Sequence, residues 1–194
     1  MGMKAMRQRA RQVTDRAIIC AMLDQMDTIH VGMHDEPAPY VVPLNFGYAF
    51  EDDLVFYFHC AKAGFKLELL QRDPHVCVTA AQFVSYAGGS VKGHMHDYRS
   101  VIARGVAQEI DPLKEPQAFR DALGCLLAHN HRDPADADSP VARHIRMWRI
   151  VCRAEDVTAK AEIVPHTPQE VPFAPAVGDG VPMDESHILD AQKD

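Results

Sequence analysis

The chain has 194 residues, 47% hydrophobic and 24% charged, which suffices for one domain with its own core and excludes wholesale disorder or a collagen-like repeat. Twenty basic and 27 acidic side chains give a formal charge of −7. From Glu155 onward nine acids face only Lys160 and Lys193, so the body is neutral, the end is acidic, and no nucleic-acid partner is expected.

Residues 1–12 read as a mobile arm ahead of a domain spanning 13–160. Thr14 and Asp15 can cap a helix through RAIICAMLDQM, where Ile18, Met22 and Met26 recur about once per turn. Strands are predicted over Thr28 to Met33, Tyr40 to Phe50 and Leu54 to Cys60, joined by the turn-rich HDEPAP and EDD. A short helix from Ala63 to Gln71 stops at Asp73-Pro74, because proline disfavours helix in the residue before it. Strands then run over Val76 to Val84 and Tyr98 to Ile110, on either side of a glycine- and histidine-rich loop at 85–97. A second helix covers 114–130, and a last strand runs from Arg146 to Arg153, extended toward Val157. Prolines 165, 168, 172, 175 and 182 make 161–194 an acidic tail, wrapped around the domain or disordered.

Antiparallel strands with short links and few helices make a mainly β, α+β fold, a small barrel with helical additions. A parallel sheet would need helical crossovers, for which three of the first links are too short. The five cysteines include no CxxC pair and sit in apolar surroundings, so no disulfide framework is expected. No apolar run approaches the roughly 20 residues of a membrane span, and the basic start lacks a signal-peptide core. A cytoplasmic protein without membrane attachment is expected.

Chemistry concentrates in LVFYFHCAKAGFKLELL (54–70). Here an apolar strand ends at His59, and a helix begins close to Lys62 and Lys66. A cation opposes the dipole at a helix N-terminus, and a phosphate would resolve the conflict; two solvated lysines are the alternative. In YVVPLNFGYAF (40–50), alternation puts Pro43, Asn45 and Gly47 on one face, with Val42, Leu44 and Phe46 on the other. Proline marks an edge or bulge, and glycine permits close approach by a ligand or by another backbone. Arg99 and Ser100 are anion and neutral donors, on opposite strand faces unless the strand is bulged. Trp148 is either core or a stacking surface for an aromatic ligand. The pairs His94-x-His96 and His129-x-His131 have no matched spacing for a metal site, and surface histidines explain them better. P-loop, GxSxG, HExxH and GxGxxG motifs are all missing.

These residues resemble the FMN-binding split-barrel family related to pyridoxamine 5′-phosphate oxidase, in its 5-nitroimidazole-resistance branch. The resemblance runs from about Arg7 to Lys160. It is carried by VPLNFGY (42–48), FYFHCAKAGFKLELLQRDPHVCV (56–78) and YRSVIARG (98–105). It implies a six-stranded antiparallel Greek-key split barrel that dimerises and builds two FMN sites between subunits. By the same resemblance Val42, Pro43, Leu44 and Asn45 lie beside the isoalloxazine ring, followed by His59, Cys60 and Ala61. Lys66 holds the FMN phosphate, Arg99 and Ser100 add polar contacts, and Trp148 reaches the ring. His59 would orient substrate or donate a proton. Phe65 stands where the oxidase favours arginine, and the oxidase's substrate-phosphate residues have no match, so pyridoxamine phosphate oxidation is not expected.

The implied activity is FMN-dependent reduction of a small electron-poor molecule such as a nitroaromatic by a homodimer, with NAD(P)H as a candidate electron donor. The alternatives are a flavin-binding module without catalysis and a haem-binding split barrel. A metal protein using the HxH pairs comes last.

Overall fold

Nine strands and three helices make up the computed structural model, which describes residues 5–86, 96–134 and 145–171. The chain enters through a 3-10 turn at Arg9–Arg11 and a two-residue strand, β1 (Gln12–Val13). Helix α1 (Arg16–Leu23) follows, capped by Asp15, whose side chain accepts from the Ile18 N–H at 3.1 Å. This is the expected cap, and Ile18, Ile19, Met22 and Leu23 bury the helix's apolar face. Strands β2 (Ile29–Met33), β3 (Tyr40–Leu44), β4 (Gly47–Phe50) and β5 (Leu54–Cys60) lead to α2 (Phe65–Arg72). Then come β6 (His75–Tyr86), β7 (His96–Ile110), α3 (Pro116–His129), β8 (Arg146–Cys152) and β9 (Val157–Ala161).

Every ladder is antiparallel, and the main path runs β3-β2-β6-β7-β8-β5-β4. Its two end strands, β3 and β4, are consecutive in the chain and separated only by Asn45 and Phe46. The sheet therefore has to curl until its ends meet, as in a barrel. The resulting α+β architecture is of split-barrel type.

The expected six strands become nine for identifiable reasons. The predicted strand 40–50 bends at Asn45–Phe46 and divides into β3 and β4. The last predicted strand is broken by a 3-10 turn at Ala154–Asp156, which separates β8 from β9. The arm's last residues add β1, with Gln12 opposite Lys160 and Val13 opposite Ala159. Beyond the barrel a 3-10 turn at Pro168–Glu170 leads to Val171, which joins the core.

Strand β7 organises the sheet. One edge pairs with β6 from His96 to Val106. The other edge pairs with β9 at Arg99–Ala103 and with β8 at Val106–Ile110. Gly105 lies at the change of partner, where an added Cβ would stand 2.6 Å from Cys152 Sγ and from the Val151 carbonyl oxygen.

Phe46, Phe56, Phe58, Trp148 and Ile150 fill the barrel interior. A second cluster lies under α3, where Phe119, Ala122, Leu123 and Leu126 cover Ile110 and Met147. Gly47 is the contact point of α3 with the barrel, and an added Cβ would lie 2.6 Å from both the N and the Cα of Leu126. Of the two partners expected for this glycine, a ligand or another backbone, the structure supplies the helix backbone. Gly47→Ala should therefore destabilise the fold by about 1–3 kcal/mol through overpacking, measured by urea unfolding. Unchanged stability would contradict this packing.

Candidate functional site

Strand β5 alternates its side chains between the barrel interior and the outside. Leu54, Phe56, Phe58 and Cys60 point in, and His59 stays exposed on the outer face. The bend at Asn45–Phe46 lies close to His59 in register, because Gly47 pairs with Tyr57 two residues before it. After Cys60 the chain runs exposed through Ala61 to Gly64, and α2 starts at Phe65.

The start of α2 has the features of an anion site. Gly64, its N-cap, adopts φ 142°, a conformation that favours glycine, with open space where a Cβ would be. No side chain caps the helix, so its first N–H groups lack that partner. Lys66 sits in this first turn and forms no ion pair with any described residue. An unpaired cation there loses about 0.3–1 kcal/mol to the helix dipole, and a bound phosphate reverses the sign of that interaction. Glu68, in the same first turn, carries the sign of charge that the dipole favours.

Phe65, which replaces the arginine of the oxidase pattern, packs edge-on against Tyr40 with ring centroids 5.3 Å apart. That contact ties the start of α2 to the start of β3. Strand β3 pairs only with β2 among the described residues, so its other edge offers free backbone groups. Pro43, which has no N–H to contribute, fits such an edge. Val42 and Leu44 turn inward against the core while Pro43 and Asn45 are exposed, as the alternation predicts. Asn45 donates to the Asp27 carbonyl at 3.3 Å.

His59 has its pKa pushed down, first by partial burial and second by the positive charge of Lys66. The two residues therefore share one electrostatic environment, and His59 is held in its neutral form near neutral pH. Burial pushes the Cys60 thiol up, against the pull of Lys66 and Arg146. Its side chain lies in the core, so only its backbone is available to a ligand.

The other expected contacts lie elsewhere. Trp148 is 4% exposed and lies parallel to Phe58 inside the barrel, with centroids 6.3 Å apart and planes 11° apart. It is a core residue rather than an exposed stacking surface, because register places it beside Phe58 on the inward face of β8. Its Nε1 is buried and meets the Cys60 thiol.

Arg99 and Ser100 occupy a regular ladder, so they face opposite ways, as expected without a bulge. Arg99 is buried, whereas Ser100 faces a cleft of about 340 Å³ with Arg7, Tyr98 and Lys160. Lys160 Nζ donates to the Tyr98 hydroxyl at 2.5 Å and lies 4.3 Å from the ring centre. Sequence reasoning missed this pair because only the β7–β9 register brings Ser100 and Lys160 together. The row of Ser100 is three strands, about 14 Å, from β3. It is nine residues along β7, about 30 Å of strand, from Glu109, the β7 partner of Trp148. One chain thus joins β3, the end of β5 and the start of α2, and leaves Ser100 apart.

Of the histidine pairs, His129 is taken up by structure: its Nε2 lies 2.9 Å from the Met26 carbonyl, and its ring packs on Phe46. The pairing of His94 with His96 falls outside the described residues. Among the described residues no group of three His, Cys, Asp or Glu side chains is placed to hold a metal ion.

A family model described as pyridoxamine 5′-phosphate oxidase matches residues 15–161. The chain belongs to that family. Among solved structures, it is similar to a protein from Bacteroides thetaiotaomicron put forward as a 5-nitroimidazole antibiotic resistance protein. The two are 28% identical with a TM-score of 0.59, over 77% of this chain and 86% of that one. A FAD-binding protein from Mesorhizobium loti shares the fold at 22% identity and a TM-score of 0.55, over 79% and 98% of the chains. So does a FAD- and haem-binding protein from Mycobacterium smegmatis, at 16% identity and 0.58, over 83% and 78%. No curated protein matches the sequence.

NMR titration should place the His59 pKa below the ordinary value of about 6.5. Lys66→Met should raise it, since removing a nearby cation makes protonation easier. A His59 pKa unmoved by that substitution would contradict the shared environment.

Proposed function

We propose that the protein is a homodimeric FMN-dependent oxidoreductase that reduces a small electron-poor compound, with a nitroaromatic as the model substrate and NAD(P)H as electron donor. The observation that carries this reading is the unpaired Lys66 on the uncapped, glycine-led start of α2, beside His59 and the free edge of β3. The fit to FMN is good at its anionic end, where Lys66 and the first N–H groups of α2 would hold the phosphate. The exposed edge from Val42 to Asn45 and the backbone from His59 to Ala61 would flank the ring.

Bound flavin would supply the redox chemistry, taking a hydride equivalent from the nicotinamide and passing electrons to the acceptor. The protein's part is to bind, orient and manage protons. Lys66 keeps positive charge beside the phosphate. His59, held neutral, offers one ring nitrogen as donor and the other as acceptor, so it can orient an acceptor's oxygen by hydrogen bonding. As neutral imidazole it would relay a proton from solvent rather than arrive carrying an extra one.

A second copy of the chain completes the site in this reading. Ser100, with Tyr98 and Lys160 beside it, lies three strands from β3 in the sheet. The partner's face would bring such a polar group to the flavin. The family membership and the flavin-binding neighbours support the cofactor class, and the nitroimidazole-resistance neighbour supports the substrate class.

Lys66→Ala should weaken FMN binding by about 10- to 100-fold, the equivalent of losing one charge-assisted contact, read by quenching of flavin fluorescence. Unchanged affinity would remove Lys66 from the phosphate site. His59→Ala should retain FMN and slow turnover of a nitroaromatic by about 100-fold or more. Turnover at the wild-type rate would leave His59 with a structural role only.

A further inference from the structure

The outer surface of the sheet carries a second group of reactive side chains where β7 changes partner. Helix α2 ends at Asp73, whose extended backbone leads through Pro74 into β6. Alternation then places Asp73, His75 and Cys77 on one face. Asp73 Oδ1 accepts the His75 backbone N–H at 3.0 Å and lies 2.8 Å from His75 Nδ1. The Asp73 carboxyl is held below its usual range, first by that backbone N–H and then by the His75 ring. With Nδ1–H directed at the carboxylate, Nε2 is the ring's free acceptor.

Cys77 follows about 6.6 Å further along the strand. Its ladder neighbours are Gly32 on β2 and Arg104 on β7. Gly32 has no side chain to cover the thiol, and Cys77 alone of the five cysteines is exposed. Burial pushes the other four thiols up, Cys152 to about 12.

A groove of about 670 Å³ opens beside Cys77, over the gap where β9 and β8 part. His75, Arg104, Gln108, Arg153 and Asp156 line it with Cys77. The Asp156 side chain is 9% exposed. Its Oδ2 takes the Arg153 guanidinium at 2.7 Å, while its Oδ1 is buried with no hydrogen-bond partner. Guanidiniums suit carboxylates, and Arg153 already commits its own to Asp156. Arg153 also meets Glu155 at 3.0 Å, which leaves Arg104 as the freer of the two.

We propose that Cys77 is a site of reversible thiolation by a low-molecular-weight disulfide bearing carboxylate groups. The Cys77 sulfur attacks one sulfur of that disulfide, and a new S–S bond forms as the old one breaks. His75 Nε2 takes the thiol proton and returns it to the departing sulfur, which leaves as a thiol. Cys77 is oxidised to the mixed disulfide and the departing half is reduced, so no further oxidant is required. Arg104 holds a carboxylate of the incoming disulfide, and none of the proposed flavin-site residues takes part.

The test incubates the full chain, under native conditions, with glutathione disulfide as probe and follows intact mass and peptide maps. One adduct is expected, at Cys77, reversed by dithiothreitol and lost in Cys77→Ser. His75→Ala and Arg104→Ala should each slow it by about tenfold or more at fixed pH, while in urea all forms should react alike. Asp73→Asn should slow it as well, with His75 intact. First modification at Cys20 or Cys125, a Cys77–Cys77 link between chains, or native rates unaffected by His75→Ala and Arg104→Ala would overturn the proposal.

Discussion

Strand β7 is the constraint on which the rest of the molecule depends. One edge serves a single neighbour, and the other is divided between β9 and β8 at a residue that must be glycine. With backbone and sulfur 2.6 Å from any Cβ at Gly105, a larger residue would push β8 away and reopen the barrel. This division sends Ser100 and Lys160 to one end of β7 and Trp148 to the other. It also leaves the groove beside Cys77 over the gap. Two chemically distinct surfaces thus follow from one change of partner.

Barrel closure depends on a second local feature, the bend at Asn45–Phe46. A single extended segment supplies both ends of the sheet, and Phe46, fully buried, pins the bend to the core. Beyond the bend β3 keeps one edge free. That free edge, the end of β5 and the start of α2 converge around Lys66 and His59. The site combines an unpaired cation, an uncapped helix and a neutral imidazole, each of which an anionic aromatic ligand would use. Membership of the pyridoxamine 5′-phosphate oxidase family agrees with that chemistry.

Much of this was legible in the sequence because it is local. The Asp15 cap, the β5 boundaries and the lysine beside a helix start all depend on residues a few positions apart. The resemblance carried by 42–48, 56–78 and 98–105 falls within the span that the family model matches. What sequence reasoning missed depends on register. Trp148 reads equally as core or as a stacking surface until pairing with β5 sets it beside Phe58. Gly47 reads as a close approach by either a ligand or another backbone until α3 is found against it. The break at Ala154–Asp156 interrupts an otherwise strand-like run, so β9 merges with β8 in any reading by pattern alone. The cleft of Ser100, Tyr98 and Lys160, and the alignment of Cys77 with Arg104, exist only through ladder pairings between distant segments.

The central claim, a flavin site built on Lys66, is tested most directly by the visible absorption spectrum of the purified protein after FMN has been added and the excess removed. The account predicts retained flavin bands, perturbed from those of free FMN, at one flavin per chain. A protein that keeps no flavin before or after loading would contradict the oxidoreductase reading, and a Soret band in its place would assign the barrel to haem.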